Sequence, residues 1–256
     1  MTDTSSAPVR VVPVLIDAAA AAPTPAPRLT YRGGPLLTSA QVFAVYWGAA
    51  WQQSPLADIA GRLNQFFDYI LGSSLLDSLG EYSVPGQTIG HGRRTGSAVL
   101  TTSEPGSTVD DAAVRGLLQN ATAAGGPLPA PGADALYFVF TPPGTAVTMQ
   151  GSQSCQSFCG YHDTIAQGFY YAVMPYPGCA GCLGSMADFD ALTVTVSHEL
   201  CESITDPVPG HGWYDDANGE IGDICAWQTG TLGSYTVQLE WSNARNACGV
   251  LSPGTS

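Results

Sequence analysis

Residues 194–207 read VTVSHELCESITDP, and this run limits the fold more than any other part of the chain. Val194, Val196, Leu200 and Ile204 give it the apolar content of a helix packed into a core, while His198, Glu199 and Glu202 are ionisable. Burying unpaired ionisable groups is costly, so the interior around this helix must supply something that compensates them. The expected helix spans Asp188 to Thr205 and is stopped by Asp206-Pro207, since proline cannot continue a helix. Its Thr193-Val194-Thr195-Val196 run is β-branched and only a fair helix former, which tight packing can override.

The spacing has chemical consequences. Four helical residues advance about 6 Å and nearly one turn, so His198 and Glu202 point the same way and can hold one cation. Glu199 sits about 100° around the helix, where it can reach a metal-bound water without ligating the metal. H-E-x-x-E therefore resembles the H-E-x-x-H helix of metallopeptidases, with Glu in place of the second His and Glu199 as general base. Two ligands are too few. Asp206 is expected to be too far from His198, about 12 Å along a straight helix. Glu220 or Asp223, in the segment EIGDIC, is the expected third ligand, delivered by a loop returning over the helix. His162 or His211 is expected to steady the oxyanion. A His with two carboxylates accepts Zn²⁺ and also harder divalent ions. Asp215-Asp216-Ala217-Asn218-Gly219-Glu220 resembles part of a Ca²⁺ loop, but Tyr214 stands where its first Asp belongs, so it reads mainly as an Asn-Gly turn, with Ca²⁺ as a second-site alternative.

Composition narrows the function classes. The net charge of −13 argues against nucleic acid or an anionic membrane as partner, and the H-E-x-x-E helix makes a protein or peptide substrate the expected one. All eight basic residues are Arg. No apolar run is long enough to span a bilayer. The seven Cys all lie beyond residue 154. Cys155, Cys159, Cys179, Cys182, Cys225 and Cys248 are expected to form three disulfides, with Cys225–Cys248 as the long-range bridge and the other four pairing among themselves; a four-cysteine zinc site is the alternative. Cys201, inside the motif helix, is the expected free thiol. Disulfides point to an extracellular protein, although the N-terminus shows no clear signal peptide because Pro13 and Asp17 interrupt its apolar run.

Along the chain, residues 1–30 are Ala/Pro-rich and read as a tail or linker. Residues 31–256 read as one domain. Strands are expected at residues 41–47, 98–102, 135–140, 169–175 and 234–241. Helices are expected from Ser54-Pro55 onward and over residues 108–124, as well as at the motif. This order gives an α+β fold: a single zincin-like domain with a mixed sheet, an active-site helix and a disulfide-stapled, loop-rich C-terminal half.

Several short motifs resemble the EXORDIUM / phosphate-induced protein 1 family of plants and its bacterial relatives, over about residues 29–249. Tyr31-Arg32-Gly33-Gly34-Pro35-Leu36 is similar to its Y-H-G-G-P-x-L, with Arg for His. Val45-Tyr46-Trp47-Gly48 is similar to a shortened V-Y-x-x-W-Y-G. Phe158-Cys159-Gly160-Tyr161-His162 resembles C-G-x-H, and Cys179-Ala180-Gly181-Cys182 resembles C-P-x-x-C with altered spacing. His198-Glu199-Leu200-Cys201-Glu202 followed by Thr205-Asp206-Pro207 resembles H-E-L-A-E then T-N/D-P, with Cys201 in place of the family's Ala. Trp213-Tyr214 and Glu220-Ile221-Gly222-Asp223-Ile224-Cys225 resemble W-Y and E-I-G-D-L-C. The resemblance implies a secreted, disulfide-containing protein linked to cell expansion and growth signalling. The residues themselves point to a secreted metal-dependent hydrolase, a zinc endopeptidase first of all. Two rivals are a non-enzymatic cell-wall-associated protein with a structural metal, closed by four protein ligands, and a hydrolase of another amide or ester bond in wall material.

Overall fold

A computed structural model describes residues 11–15 and 25–250. Its centre is a six-stranded sheet built from β1 (Val11–Pro13), β2 (Gln41–Trp47), β3 (Arg93–Leu100), β4 (Ala135–Phe140), β5 (Phe158–Ala166) and β6 (Phe169–Met174), in the order β1-β5-β6-β4-β2-β3. The neighbours from β6 through β4 and β2 to β3 pair in parallel, and β5 runs antiparallel to both β6 and β1. The sheet is therefore mixed, as its sequence pattern predicts.

Three helices cover the sheet: α1 (Leu56–Ile70), α2 (Asp111–Thr122) and α3 (Asp188–Thr205). β4 shows why both faces are covered. Its ALYFVF has no polar position, and alternate side chains turn to opposite cores. Leu136, Phe138 and Phe140 join the core beneath α1 and α3, while Tyr137 and Val139 join the core beneath α2. Leu63, Phe66, Phe67 and Ile70 of α1 are completely buried. The helix expected over residues 108–124 is shorter than its pattern. Thr108–Asp110 is instead a strand, and the Asp110 carboxylate caps α2 by accepting from the Ala113 N–H at 2.8 Å.

α3 has the predicted bounds, and every residue from Ala191 to Thr205 is buried. A helix buried nearly all round needs no amphipathic pattern. Three of its buried hydroxyls are reconciled with burial by bonding back to the helix itself. Thr195 donates to Ala191 O, Ser197 to Val194 O and Thr205 to Cys201 O, at 3.0, 2.8 and 2.9 Å. Thr193 donates across to Thr236 O at 2.7 Å, fastening the hairpin of Thr229–Leu232 and Tyr235–Gln238 to α3.

The six paired cysteines form Cys155–Cys179, Cys159–Cys182 and Cys225–Cys248 and leave Cys201 free and buried, so the four-cysteine zinc alternative is set aside. The first two bridges tie the approach to β5 and its first residues to the segment before α3. The third ties the short turn Asp223–Cys225 to the strand Ala247–Gly249. Three sequence expectations change. Part of residues 1–30 belongs to the domain, because Val11–Pro13 is the outer strand of the main sheet. β5, which no sequence pattern marked, is nine residues long. The closing strand is two pieces, Tyr235–Gln238 and Glu240–Ser242. Among the described residues no helix is long and apolar enough to cross a membrane.

Alkylation of non-reduced protein is expected to label no thiol in native buffer and one per chain in denaturant, because Cys201 is the free cysteine and is buried. Mass spectrometry that finds three or more labels in denaturant would mean that a bridge is missing.

Candidate metal centre

α3 turns His198, Glu199 and Glu202 toward the edge of the sheet and toward the loop that follows the helix. The helix ends where expected: Asp206 leaves helical geometry, with φ −150° and ψ 61°. The Asp206 carboxylate then folds the next loop by accepting backbone N–H groups from Gly210, His211 and Gly212 at 2.6, 3.0 and 2.5 Å. Those donors occupy the oxygens that a cation would need. The loop returns over the helix at residues 219–223. Gly222 presses on the site so closely that a Cβ there would lie 2.8 Å from His198 Nδ1 and 2.9 Å from Glu202 Oε1. The Asp223 N–H donates to Glu202 Oε1 at 3.1 Å.

β5 supplies His162. It pairs with Ala172, which belongs to the core beneath α3, so its ring reaches the same place from the sheet side. His162 Nε2 lies 3.0 Å from the backbone carbonyl of Asp206. A carbonyl only accepts, so Nε2 carries the hydrogen and Nδ1 is left facing carboxylates. Nδ1 is 3.1 Å from Glu199 Oε2 and 3.5 Å from Glu202 Oε2. On the other side of Glu202, Oε1 is 2.9 Å from His198 Nε2, but the ring N–H does not lie along that line and the contact is not a hydrogen bond. The two oxygens of Glu202 thus serve two different histidines.

Glu220 lies against His162, its Oε1 3.5 Å from Nε2, and is fully buried. Glu240 is the member that sequence reasoning missed. It starts the strand Glu240–Ser242, is 1% exposed, and neither of its oxygens has a hydrogen-bond partner. It was legible only through scarcity. Of six Glu in the chain, four are buried here, and the other two, Glu81 and Glu104, are exposed. With Asp206 there are five buried carboxyl groups, those of Glu199, Glu202, Asp206, Glu220 and Glu240. They surround two buried histidines, and among the described residues no arginine is buried.

The electrostatics follow from that crowding. Burial opposes charge on His162, but Glu220, Glu199 and Glu202 outweigh it and hold the ring well above the ordinary histidine value. His198 is raised in the same way, against burial, chiefly by Glu202. Burial also works against the Glu202 carboxylate, yet His198 and His162 bring it down to about 2. Burial raises Glu199, Glu220, Glu240 and Asp206, and neighbouring carboxylates add to the rise for the three glutamates.

Within the cluster two sets of three donors lie within 4.8 Å of one another and can hold a cation: His198, Glu202 and Asp223, and His162, Glu199 and Glu202; a third set, Cys155, Cys179 and Cys182, is taken up by disulfides. The first is the set expected from sequence with Asp223 as third member. Unpartnered atoms fit a cation too, since His198 Nδ1 and Nε2, Glu199 Oε1, Glu202 Oε2 and both oxygens of Glu220 are buried without hydrogen-bond partners. His211 is not part of the cluster. It is exposed, and its contribution is the N–H given to Asp206. The Ca²⁺ alternative at residues 215–220 meets a turn in which Asp215 Oδ1 already accepts from Ala217 N, Asn218 N and Asn218 Nδ2 at 2.8, 2.9 and 3.0 Å. No family model matches the chain, and no curated protein matches it.

Chelator-treated protein is expected to lose thermal stability as pH rises from about 5 to 8. A carboxyl or histidine raised in the folded state stabilises it below the unfolded value, and that stability is lost as pH rises through the folded value. Glu202 acts oppositely, but only as pH falls from about 4.3 toward 2. Added Zn²⁺ should flatten the loss. Calorimetry showing the same pH profile with and without metal would contradict a cation at this cluster.

Proposed function

We propose that this chain is a secreted metal-dependent hydrolase, a zinc endopeptidase with a zincin-like arrangement of helix and sheet. The observation that carries the reading is the meeting of His198, Glu202 and Asp223 beside Glu199, whose Oε1 is buried and has no hydrogen-bond partner. A divalent ion held there supplies Lewis acidity and a more acidic water. The protein's own part is to hold and move a proton. His162 fixes Glu199 through Oε2, leaving Oε1 as the oxygen that takes the proton. The Asp206 carbonyl orients His162 in turn, so the base is held by a chain of fixed partners. The resemblance to the EXORDIUM family belongs to this proposal and adds secretion, which the three disulfides support.

One observation favours a second reading. His198, Glu199, Glu202 and Glu220 are all 0% exposed. Three of the surface hollows, of about 580, 510 and 450 Å³, are lined by other residues. A sealed centre suits a structural ion with no open coordination position.

Glu199→Gln is expected to keep the metal and the fold and to lower hydrolysis of unfolded protein by about 100-fold or more. Asp223→Ala should weaken Zn²⁺ binding by roughly 100-fold, about 3 kcal/mol. If Glu199→Gln loses the metal instead, the set of His162, Glu199 and Glu202 is the true ligand set. If metal binds and no substrate is cleaved even with the N-terminal strand displaced, the structural reading replaces the hydrolase.

A further inference from the structure

We infer that the outer edge of β5 is a binding site for an extended peptide, and that in the resting chain residues 11–14 fill it in cis. The inference rests on the hydrolase reading for what happens to a bound peptide, but not for the binding itself.

The first observation is where β1 lies. It touches β5, the turn Asp223–Cys225 and α3. It therefore runs beside the sheet edge that carries His162 and the loop that carries Asp223. Val12 pairs with Gly160 of β5, Val11 with Tyr161 and Pro13 with Phe158, all antiparallel. Gly160 is where β5 comes closest to the motif helix. A Cβ on it would lie 2.6 Å from Thr195 Cγ2 and 3.2 Å from Glu199 Oε1. Only glycine lets the β5 backbone run that close. Val12 is then one strand spacing, about 4.8 Å, from the residue that rests on Glu199.

The second observation is how β1 is held. Val12 and Val14 are 1% and 4% exposed, and they pack with Cys159 and Cys182. A Cβ on Gly181 would lie 3.1 Å from Val14 Cβ, so the seat fits a small β-branched side chain closely. Trp227 Nε1 donates to Pro13 O at 2.8 Å, and Val14 N donates to Ser157 O at 3.3 Å. These are contacts any extended peptide with small apolar side chains can make: backbone pairing with a sheet edge and shallow seats for alternate residues.

The third observation is that the hold is short and interrupted. β1 has three residues, its register slips between Val12 and Pro13, and Pro13 has no N–H to give the ladder. In sequence it is followed by IDAAAAAPT at residues 16–24, a composition of the Ala/Pro kind that serves as a linker. A tethered segment competes at an effective concentration on the order of mM, which is enough to keep a weak strand seated against free peptide.

The test uses the full chain. Val12→Asp sets a carboxylate among Val14, Cys159 and Cys182 and unseats β1, which takes from the two large cores only the partly buried Val11 at their margin. Val14→Ala, a milder variant, removes the two methyl groups seated against Gly181 and leaves the edge of β5 and Trp227 unchanged. The probe is a labelled synthetic peptide of residues 8–15, PVRVVPVL, followed by fluorescence anisotropy. Val12→Asp is expected to bind it at least about tenfold more tightly than wild type, with Val14→Ala between them, because the tethered competitor is gone or weakened. Equal binding by all three chains, or no binding by either variant, would overturn the inference. If Val12→Asp fails to fold, Val14→Ala decides alone.

Hydrolysis of unfolded protein with added Zn²⁺ separates this inference from the one beneath it. Faster cleavage by the variants, inhibited by the free peptide, supports both. Peptide binding as expected with no cleavage by any chain leaves the edge site standing and removes the hydrolase. Equal cleavage by all chains with no difference in peptide binding removes the edge site and leaves the hydrolase.

Discussion

Carboxylates buried without a basic side chain set the terms for the second half of this protein. An ionised carboxyl in an apolar interior must be paired, protonated or bound to a cation. Here Glu199, Glu202, Glu220, Glu240 and Asp206 share their surroundings with two histidines and, among the described residues, no buried arginine. Asp206 is satisfied by loop N–H groups, while Glu202 accepts the Asp223 N–H at Oε1 and is held charged by His198 and His162. The remaining oxygens converge without hydrogen-bond partners. A divalent ion meets that deficit by binding several of these oxygens at once, whereas a proton serves one carboxyl or one pair at a time.

The scaffold around the cluster is arranged to hold such a deficit. α3 is packed on all sides, so its ionisable residues cannot swing out to water. The loop carrying Asp223 is fixed at Cys225 by the bridge to Cys248, and the strand carrying His162 is fixed at Cys159 by the bridge to Cys182. Each bridge closes a loop of moderate length and contributes on the order of 2–4 kcal/mol. Their value to the site is positional, since Cys225 and Cys159 lie close in sequence to Asp223 and His162, each a member of a candidate ligand set.

Sealing and chemistry meet at β1. The strand at the sheet edge pairs through Val12 with Gly160, the residue that rests on Glu199, so on the inference above the seating of one short segment decides whether the cluster is reached by a peptide. The two readings of function differ in whether that segment leaves its seat. Its few hydrogen bonds and interrupted register place it among the less stable parts of a fold, where opening motions are drawn from.

Much of this was written in the sequence. The bounds of α3 follow from apolar spacing and from Asp206-Pro207, and the shared face of His198 and Glu202 follows from helical geometry. Cysteine arithmetic identified the six bridged residues and the free Cys201. These are local or counting properties, which a sequence carries directly. His162 as the partner of Glu199, Glu240 as a buried member and β1 as the cover are different in kind. They join residues 37 or more positions apart, and nothing in the local pattern of FCGYHDTIA, of QLEWS or of VVPV says which of them will share an interior. Local spacing determines which side chains share a helix face; only the closing of the sheet and the return of the loop determine which faces meet.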